Sequence, residues 1–193
     1  MKSSEINRER QYIYEHRYNL ACDYFDIGLV FVDKDDLVAA KEFYNKSMEI
    51  FRNLKLKDEL SDYYFNLGEI YLLEKQYQRA LDYYTKGLAI DREQDNRPNI
   101  ASDINMIGEL YVEMDNLGEA EKFFNQAIEL AQQIKAQSDL ASAYHNLAGV
   151  YKKRGKKSAA REFLRQAQEI YVKIDTGDYE DVKKELISLD NRE

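Results

Sequence analysis

Residues 64–71 run Tyr64-Phe65-Asn66-Leu67-Gly68-Glu69-Ile70-Tyr71, and their skeleton returns at forty-residue intervals along the chain. Gly68 has counterparts in Gly28, Gly108 and Ala148, Tyr71 in Phe31, Tyr111 and Tyr151, Leu67 in Ile27, Ile107 and Leu147, and Tyr64 in Tyr24, Ile104 and Tyr144. A second small column, Ala40, Ala80, Ala120 and Ala160, keeps the same period and is followed four residues on by Tyr44, Tyr84, Phe124 and Leu164. Two independent columns in one register define a stacked array of like repeats. Apolar positions offset by three, four and seven share one side of an α-helix, so each repeat reads as two helices. A glycine inside a helix costs about 1 kcal/mol against alanine. Its return in Gly28, Gly68 and Gly108 therefore needs a packing reason, and close approach of the partner helix backbone is the expected one.

The motif Tyr64-x2-Leu67-Gly68-x2-Tyr71 with Ala80 and Tyr84 recurs as Ile104-x2-Ile107-Gly108-x2-Tyr111 with Ala120 and as Tyr144-x2-Leu147-Ala148-x2-Tyr151 with Ala160. On these residues the chain resembles the tetratricopeptide repeat (TPR) family from residue 21 to about residue 175. The common repeat of that family has 34 residues and a closing proline. The 40-residue spacing and the single proline, Pro98, depart from it, and the extra residues are expected to lengthen the second helix and its exit loop. In this respect the chain is similar to the longer-repeat arrays of kinesin light chain and of bacterial peptide-sensing TPR regulators. The resemblance implies an all-α, right-handed α-solenoid of four helix-turn-helix repeats, 21–60, 61–100, 101–140 and 141–175. An N-terminal helical extension or cap over 1–20 and a C-terminal capping helix over 176–193 complete the expected organisation. The implied activity is that of an adaptor gripping a peptide or a protein surface.

Composition agrees with an all-helical protein forming one extended domain, with 44% hydrophobic residues, 33% charged residues and one proline in 193. The sixteen tyrosines fall largely in the packing columns, where their rings fill space and their hydroxyls reach the rim. One cysteine, Cys22, leaves no intrachain disulfide and points to a reducing, cytoplasmic setting. Charges interrupt residues 1–17 and every other apolar stretch, which argues against a signal peptide or a membrane span. A net charge of −8 disfavours nucleic acid, whose phosphates need neutralising, and only the basic run 152–157 argues otherwise. Two histidines, one cysteine and no glycine-rich phosphate loop give no catalytic constellation and no cofactor or metal site.

Turns inside the repeats are expected at Asp35-Asp36, Lys75-Gln76, Asp115-Asn116 and Gly155-Lys156. Pro98 starts the third repeat, since proline is tolerated in a first helical turn, and Ser138 followed by Asp139 suits an N-cap for the fourth. After Asp175-Thr176-Gly177, Val182, Leu186 and Leu189 form an amphipathic stretch that covers the last repeat. At the front Ser3 or Ser4 can cap a helix through Ile6, Ile13, Tyr14 and Leu20, which either covers the first repeat or serves as a partner-binding arm.

In TPR arrays the first helix of each repeat lines the concave face, and the matching columns here are chemically mixed. At the front stand Phe25, Leu29, Phe65 and Leu72, an apolar floor. The middle has Glu69, Glu109 and Glu113, and the rear has His145, Lys152 and Lys153 within the run that adds Arg154, Lys156 and Lys157. Residues 101–140 carry net charge −6 and residues 141–180 carry +3. A ligand in this groove would put apolar side chains at the front, a basic residue over the middle and a carboxylate at the rear, an arrangement that fixes orientation more than affinity. Asn66 and Asn146, with Asn105 one position displaced, are amides able to pair with a ligand's peptide units or simply with solvent and neighbouring side chains. The lysine-and-asparagine set with which some TPR co-chaperones hold a C-terminal carboxylate is unmatched, because Phe25 and Leu29 occupy its first positions. The implied partner is a protein or peptide, bound by an adaptor, by a peptide-responsive regulator or by a homo-oligomeric scaffold.

Overall fold

In the computed structural model, residues 2–174 and 176–190 are described, the side chains of 2–6, 58 and 190 excepted. The Ser3 or Ser4 cap and the Asp175 turn position lie outside the described residues. Every regular element among them is an α-helix: α1 (Lys2–Asp33), α2 (Leu37–Leu54), α3 (Lys57–Leu73), α4 (Tyr77–Glu93), α5 (Arg97–Glu113), α6 (Leu117–Ile134), α7 (Gln137–Lys153), α8 (Lys157–Ile174) and α9 (Asp178–Asp190). None of these helices is long and apolar enough to cross a membrane.

A left-handed residue ends each hairpin helix described to its close, at Asp35, Lys55, Lys75, Asp95, Asp115, Lys135 and Gly155, twenty residues apart and with φ between 53° and 72°. The residue that follows closes the turn with a backbone N–H returned to the last helical turn, as Asp36 does to Phe31 O at 2.9 Å and Leu56 to Phe51 O at 3.0 Å. Left-handed backbone costs a residue with a Cβ on the order of 1–2 kcal/mol, and six of these seven positions are Asp or Lys. The next helix starts at once. Asp36, Asn96 and Asn116 cap α2, α5 and α6 by accepting the N–H groups of Ala39, Asn99 and Glu119 on their side-chain oxygens. Pro98 sits in the first turn of α5.

Two expectations are corrected here. The extra residues are not confined to the second helix and its exit loop but lengthen both helices alike: α3, α5 and α7 have 17 residues, α4 has 17, and α2, α6 and α8 have 18, with exit turns as short as internal ones. Ser138 is not an N-cap. Left-handed Lys135 moves the start of α7 forward, so Ala136 takes the cap position without a side-chain bond and Ser138 lies inside the helix.

The helices gather into two compact units, residues 1–90 and 91–193. Hairpins in an array touch only their neighbours, so compactness is a local property. In unit 1 the core comprises Ala40, Tyr44, Tyr63, Leu67 and Ile70. A Cβ built on Gly28 would stand 2.5 Å from Tyr44 Cδ1, and one on Gly68 would stand 2.5 Å from Tyr84 Cδ1. The glycines thus make room chiefly for the ring of the second helix, and at Gly68 the backbone expected there also comes close, with Ala80 O 3.3 Å from the built Cβ. Stacked rings repeat beside this seam, Phe31 on Phe43 at 5.4 Å and Tyr71 on Tyr83 at 5.2 Å.

Unit 2 keeps the same construction. A Cβ on Gly108 would meet Phe124 Cε1 at 2.6 Å, and Tyr111 stacks on Phe123 and Tyr151 on Phe163. In the α7–α8 hairpin the column changes: Leu164 replaces the ring and Ala148 replaces the glycine, both within one buried cluster. A branched aliphatic side chain leaves room for a methyl group that a ring does not. α9 joins that cluster through Val182 and Leu189, with Leu186 packed beside it.

Ile27 departs from its column. It is 37% exposed and Val30 is 47% exposed, whereas Leu67 and Ile70 are buried with Ala40 and Tyr44 of the preceding hairpin. No described hairpin precedes α1, so that side of the helix has nothing over it. Residues 7–17 of α1 are exposed throughout, with Tyr12 stacked on His16 of its own helix.

The pairing of small residue and ring can be tested directly. Gly68→Ala is expected to destabilise by up to about 2 kcal/mol, because overpacking costs roughly 1–3 kcal/mol and alanine's helix propensity returns about 1. Combined with Tyr84→Leu, which recreates the Ala148 and Leu164 pairing, the loss should be smaller than the sum of the single losses by at least about 1 kcal/mol. Additive urea-denaturation energies would show that the two positions do not share the seam.

Candidate functional site

On the inner side of unit 1, several sequence candidates turn inward. Phe65 is 8% exposed, stacks on Tyr84 at 5.5 Å and lies directly over Gly87, so it belongs to the α3–α4 core and not to an open floor. Phe25 is half-buried against Tyr44 at 5.2 Å, Leu72 is half-buried, and Leu29 remains 40% exposed. The Asn66 amide is engaged at both ends: Nδ2 donates to Asp62 O at 2.8 Å, and Oδ1 accepts from the Tyr44 hydroxyl at 3.4 Å. Desolvation pushes that hydroxyl's pKa up to about 12, with Glu69 and Asp33 adding to the effect through their charges. Glu69 itself is exposed. A small cavity of about 170 Å³ opens between α1, α2 and α3, lined by Cys22, Phe25, Asp26, Phe51, Glu59 and Asp62.

In unit 2 the structure draws three candidates into one network across α5 and α7. Asn105, only 8% exposed, donates from Nδ2 to Glu109 Oε1 at 2.9 Å, and Asn146 Nδ2 donates to the same oxygen at 2.6 Å and to Asn105 Oδ1 at 3.3 Å. Desolvation by its neighbours lifts the Glu109 carboxyl above its ordinary value, and the two amide donors offset only part of that lift, although the residue as a whole is exposed and solvent moderates the effect. Glu113, one turn on, is exposed. Beside the network a cavity of about 200 Å³ is lined by Val112, Phe124, His145, Asn146, Gly149, Lys153 and Glu185.

The basic rear already has carboxylate partners within unit 2. Glu185 of α9 takes His145 Nε2 at 3.0 Å and Lys152 Nζ at 2.9 Å. Burial tends to raise the Glu185 carboxyl, but the bonds from His145 and Lys152 outweigh it and hold the group below its ordinary value. Lys153 points Nζ toward Val112 O at 3.5 Å, at the C-terminal end of α5. Arg154 pairs with Glu121 and donates to Leu117 O at 2.9 Å, while the Tyr151 hydroxyl donates to Glu121 at 2.5 Å. Those bonds, Tyr151's first and then Arg154's, hold Glu121 below the ordinary carboxylate value. Arg154 is therefore a packing residue.

Sequence reading missed Glu121 and Glu185. For Glu121 a signal existed: the Lys41–Glu74 ion pair of unit 1, 2.6 Å long, occupies positions eighty residues before Glu121 and Arg154, with the charges exchanged. Glu185 left no such trace, because α9 keeps a different set of side chains from the repeats.

Paired helices, a ring-over-glycine seam and left-handed breaks at even intervals define an all-α helical-repeat protein of the TPR type. The chain belongs to the family described as the MalT-like TPR region, whose model matches residues 15–182. A comparison with curated proteins finds no match. Among solved structures, BtubC from P. vanneervenii is similar at 20% identity and a TM-score of 0.72, over 90% of this chain and 76% of that one. A putative kinesin light chain from Podosopora anserina is similar at 16% identity and a TM-score of 0.71, over 90% of this chain and 86% of that one. A Rap protein complexed with competence and sporulation factor is similar at 17% identity and a TM-score of 0.73, over 86% of this chain and 47% of that one. The chain thus spans about half the length of that Rap protein, and identities this low show the shared fold alone.

Glu109 carries a pH signature. The folded protein holds its proton more tightly than the unfolded chain, so its contribution to stability is present below the unfolded value near 4.5 and is lost as pH rises through the folded value. Wild-type protein should therefore lose stability relative to Glu109→Gln as the pH rises above 4.5. Urea midpoints of the two proteins that differ by a constant amount across this range would contradict the assignment.

Proposed function

We propose that the chain is a non-catalytic protein–protein interaction module that holds a peptide or a segment of a partner protein against the inner faces of its first helices. It acts as an adaptor or scaffold and works in the cytoplasm. The observation that carries this reading is the Asn105, Glu109 and Asn146 cluster of unit 2, where two hairpins contribute polar groups to one face beside an open cavity. Stacking does not require this chemistry. The corresponding positions of unit 1 are Phe25, Leu29 and Asn66, while the seam positions keep their character. A carboxylate raised by desolvation and edged by amides suits a basic or amide-bearing group from a ligand, which would take up the remaining lone pairs.

A second reading, a peptide-responsive sensor, is favoured by the contact of Glu185 with His145 and Lys152. A ligand carboxylate competing for those cations would displace Glu185 and with it bias the seating of α9, which is the differential contact a ligand-driven shift needs. The Rap protein complexed with competence and sporulation factor has the same fold and lends this reading support by analogy.

Glu109→Lys with Glu113→Lys should weaken capture of the protein's partner from native extract by tenfold or more while leaving far-UV circular dichroism unchanged. Undiminished capture by the doubly reversed protein would remove the inner face of unit 2 from the binding surface.

A further inference from the structure

The small cavity of unit 1 differs in kind from its surroundings. Its wall is apolar, made by Phe25 of α1, the nearly buried Phe51 of α2 and the half-buried Cys22, and its rim carries Asp26, Glu59 and Asp62 from α1 and α3. The Tyr18 hydroxyl reaches Cys22 and Glu59 along the same edge, which raises its pKa. Neither Asp26 nor Glu59 has a cation as an ion-pair partner among the described residues.

Stacking of hairpins does not account for this composition. Eighty residues on, where α5, α6 and α7 repeat the geometry within unit 2, the same six positions are Ser102, Asn105, Met106, Ala131, Asp139 and Ser142. One carboxylate and no ring remain there. Packing employs the rings, Phe25 against Tyr44 and Phe51 against Tyr18, but it does not require the acids that stand beside them.

We propose that this cavity receives an arginine side chain from the partner. The claim rests on the inner-face recognition proposed above and names the chemistry of one partner residue. An arginine has an apolar stem that lies along Phe25, Cys22 and the edge of Phe51, and a weakly hydrated planar guanidinium with five donors that meets the carboxylates of Asp26 and Glu59. Aromatic walls add cation–π attraction. Charge complementarity of this sort also speeds encounter, and it rejects a ligand with an acidic residue at that position.

The probe is N-acetyl-arginine N-methylamide, titrated into the full ¹⁵N-labelled chain at low salt, with the citrulline analogue as an uncharged isostere. The arginine compound should shift the amides of Cys22, Phe25, Glu59 and Asp62 in a saturable way, and the citrulline compound should bind at least tenfold more weakly. Asp26→Asn combined with Glu59→Gln should weaken arginine binding at least fivefold. In the wild-type protein the arginine compound should also slow alkylation of Cys22 by iodoacetamide, a readout that needs no variant. Equal shifts with citrulline, or no protection of Cys22, would overturn the proposal. Because Glu109 and Glu113 lie in the other unit, failure here leaves the capture experiment unaffected, and a failed capture experiment leaves this titration interpretable.

Discussion

An aromatic ring lying over a glycine is the interaction on which the rest of this molecule depends. Tyr44 over Gly28, Tyr84 over Gly68 and Phe124 over Gly108 bring the two helices of a hairpin so close that a single methyl group would collide. Each glycine sacrifices helix propensity, and the buried ring beside it returns more through apolar burial and dispersion. Tyr44, Tyr84 and Phe124 are at most 1% exposed, so the seam is dry. Once it is set, the stacked pairs such as Tyr71 on Tyr83 follow, because Tyr71 lies one turn beyond Gly68 and Tyr83 stands next to Tyr84 on the same two helices. The side of the first helix turned away from its partner is then left to carry other chemistry.

The fold was legible because this seam writes itself into the chain at a fixed period. The columns through Gly68 and Ala80 carried hairpins, register and turns together. Less visible were the left-handed breaks, since Lys55, Lys75 and Lys135 carry no glycine signature. Their conformation is imposed by the helices on either side, against the residue's own preference, and so Ser138 looked like a better cap than Ala136. Ile27 was misassigned for a related reason: a column records what a position can pack against, and α1 has no earlier hairpin in the described structure.

The candidate site was legible in part. Asn105, Glu109 and Asn146 were visible as inner-face polar positions, but their convergence on one carboxylate oxygen depends on side-chain reach across two helices, which spacing does not give. Phe65 looked like an exposed apolar residue because Asn105 and His145, later in its column, are polar. Its burial depends on Gly87, which opens a slot for the ring and belongs to a further small column with Ser47, Ala127 and Ala167. The basic run misled in the opposite direction. Arg154, Lys152 and His145 read as a free positive surface, and the carboxylates that answer them come from α6 and α9, far off in sequence. Charge-swapped positions such as Lys41 with Glu74 and Glu121 with Arg154 show that a repeated array can reveal such pairs by internal comparison.

The regular interval between left-handed breaks limits how such a gene can drift. One residue inserted inside a helix turns every later side chain on that helix by about 100°, which would swing a ring off its glycine. Insertion at a break does no such harm, because the register restarts there. Length variation among relatives should therefore collect at positions like Lys55 and Asp115 or arrive as whole hairpins, leaving each helix a nearly constant span.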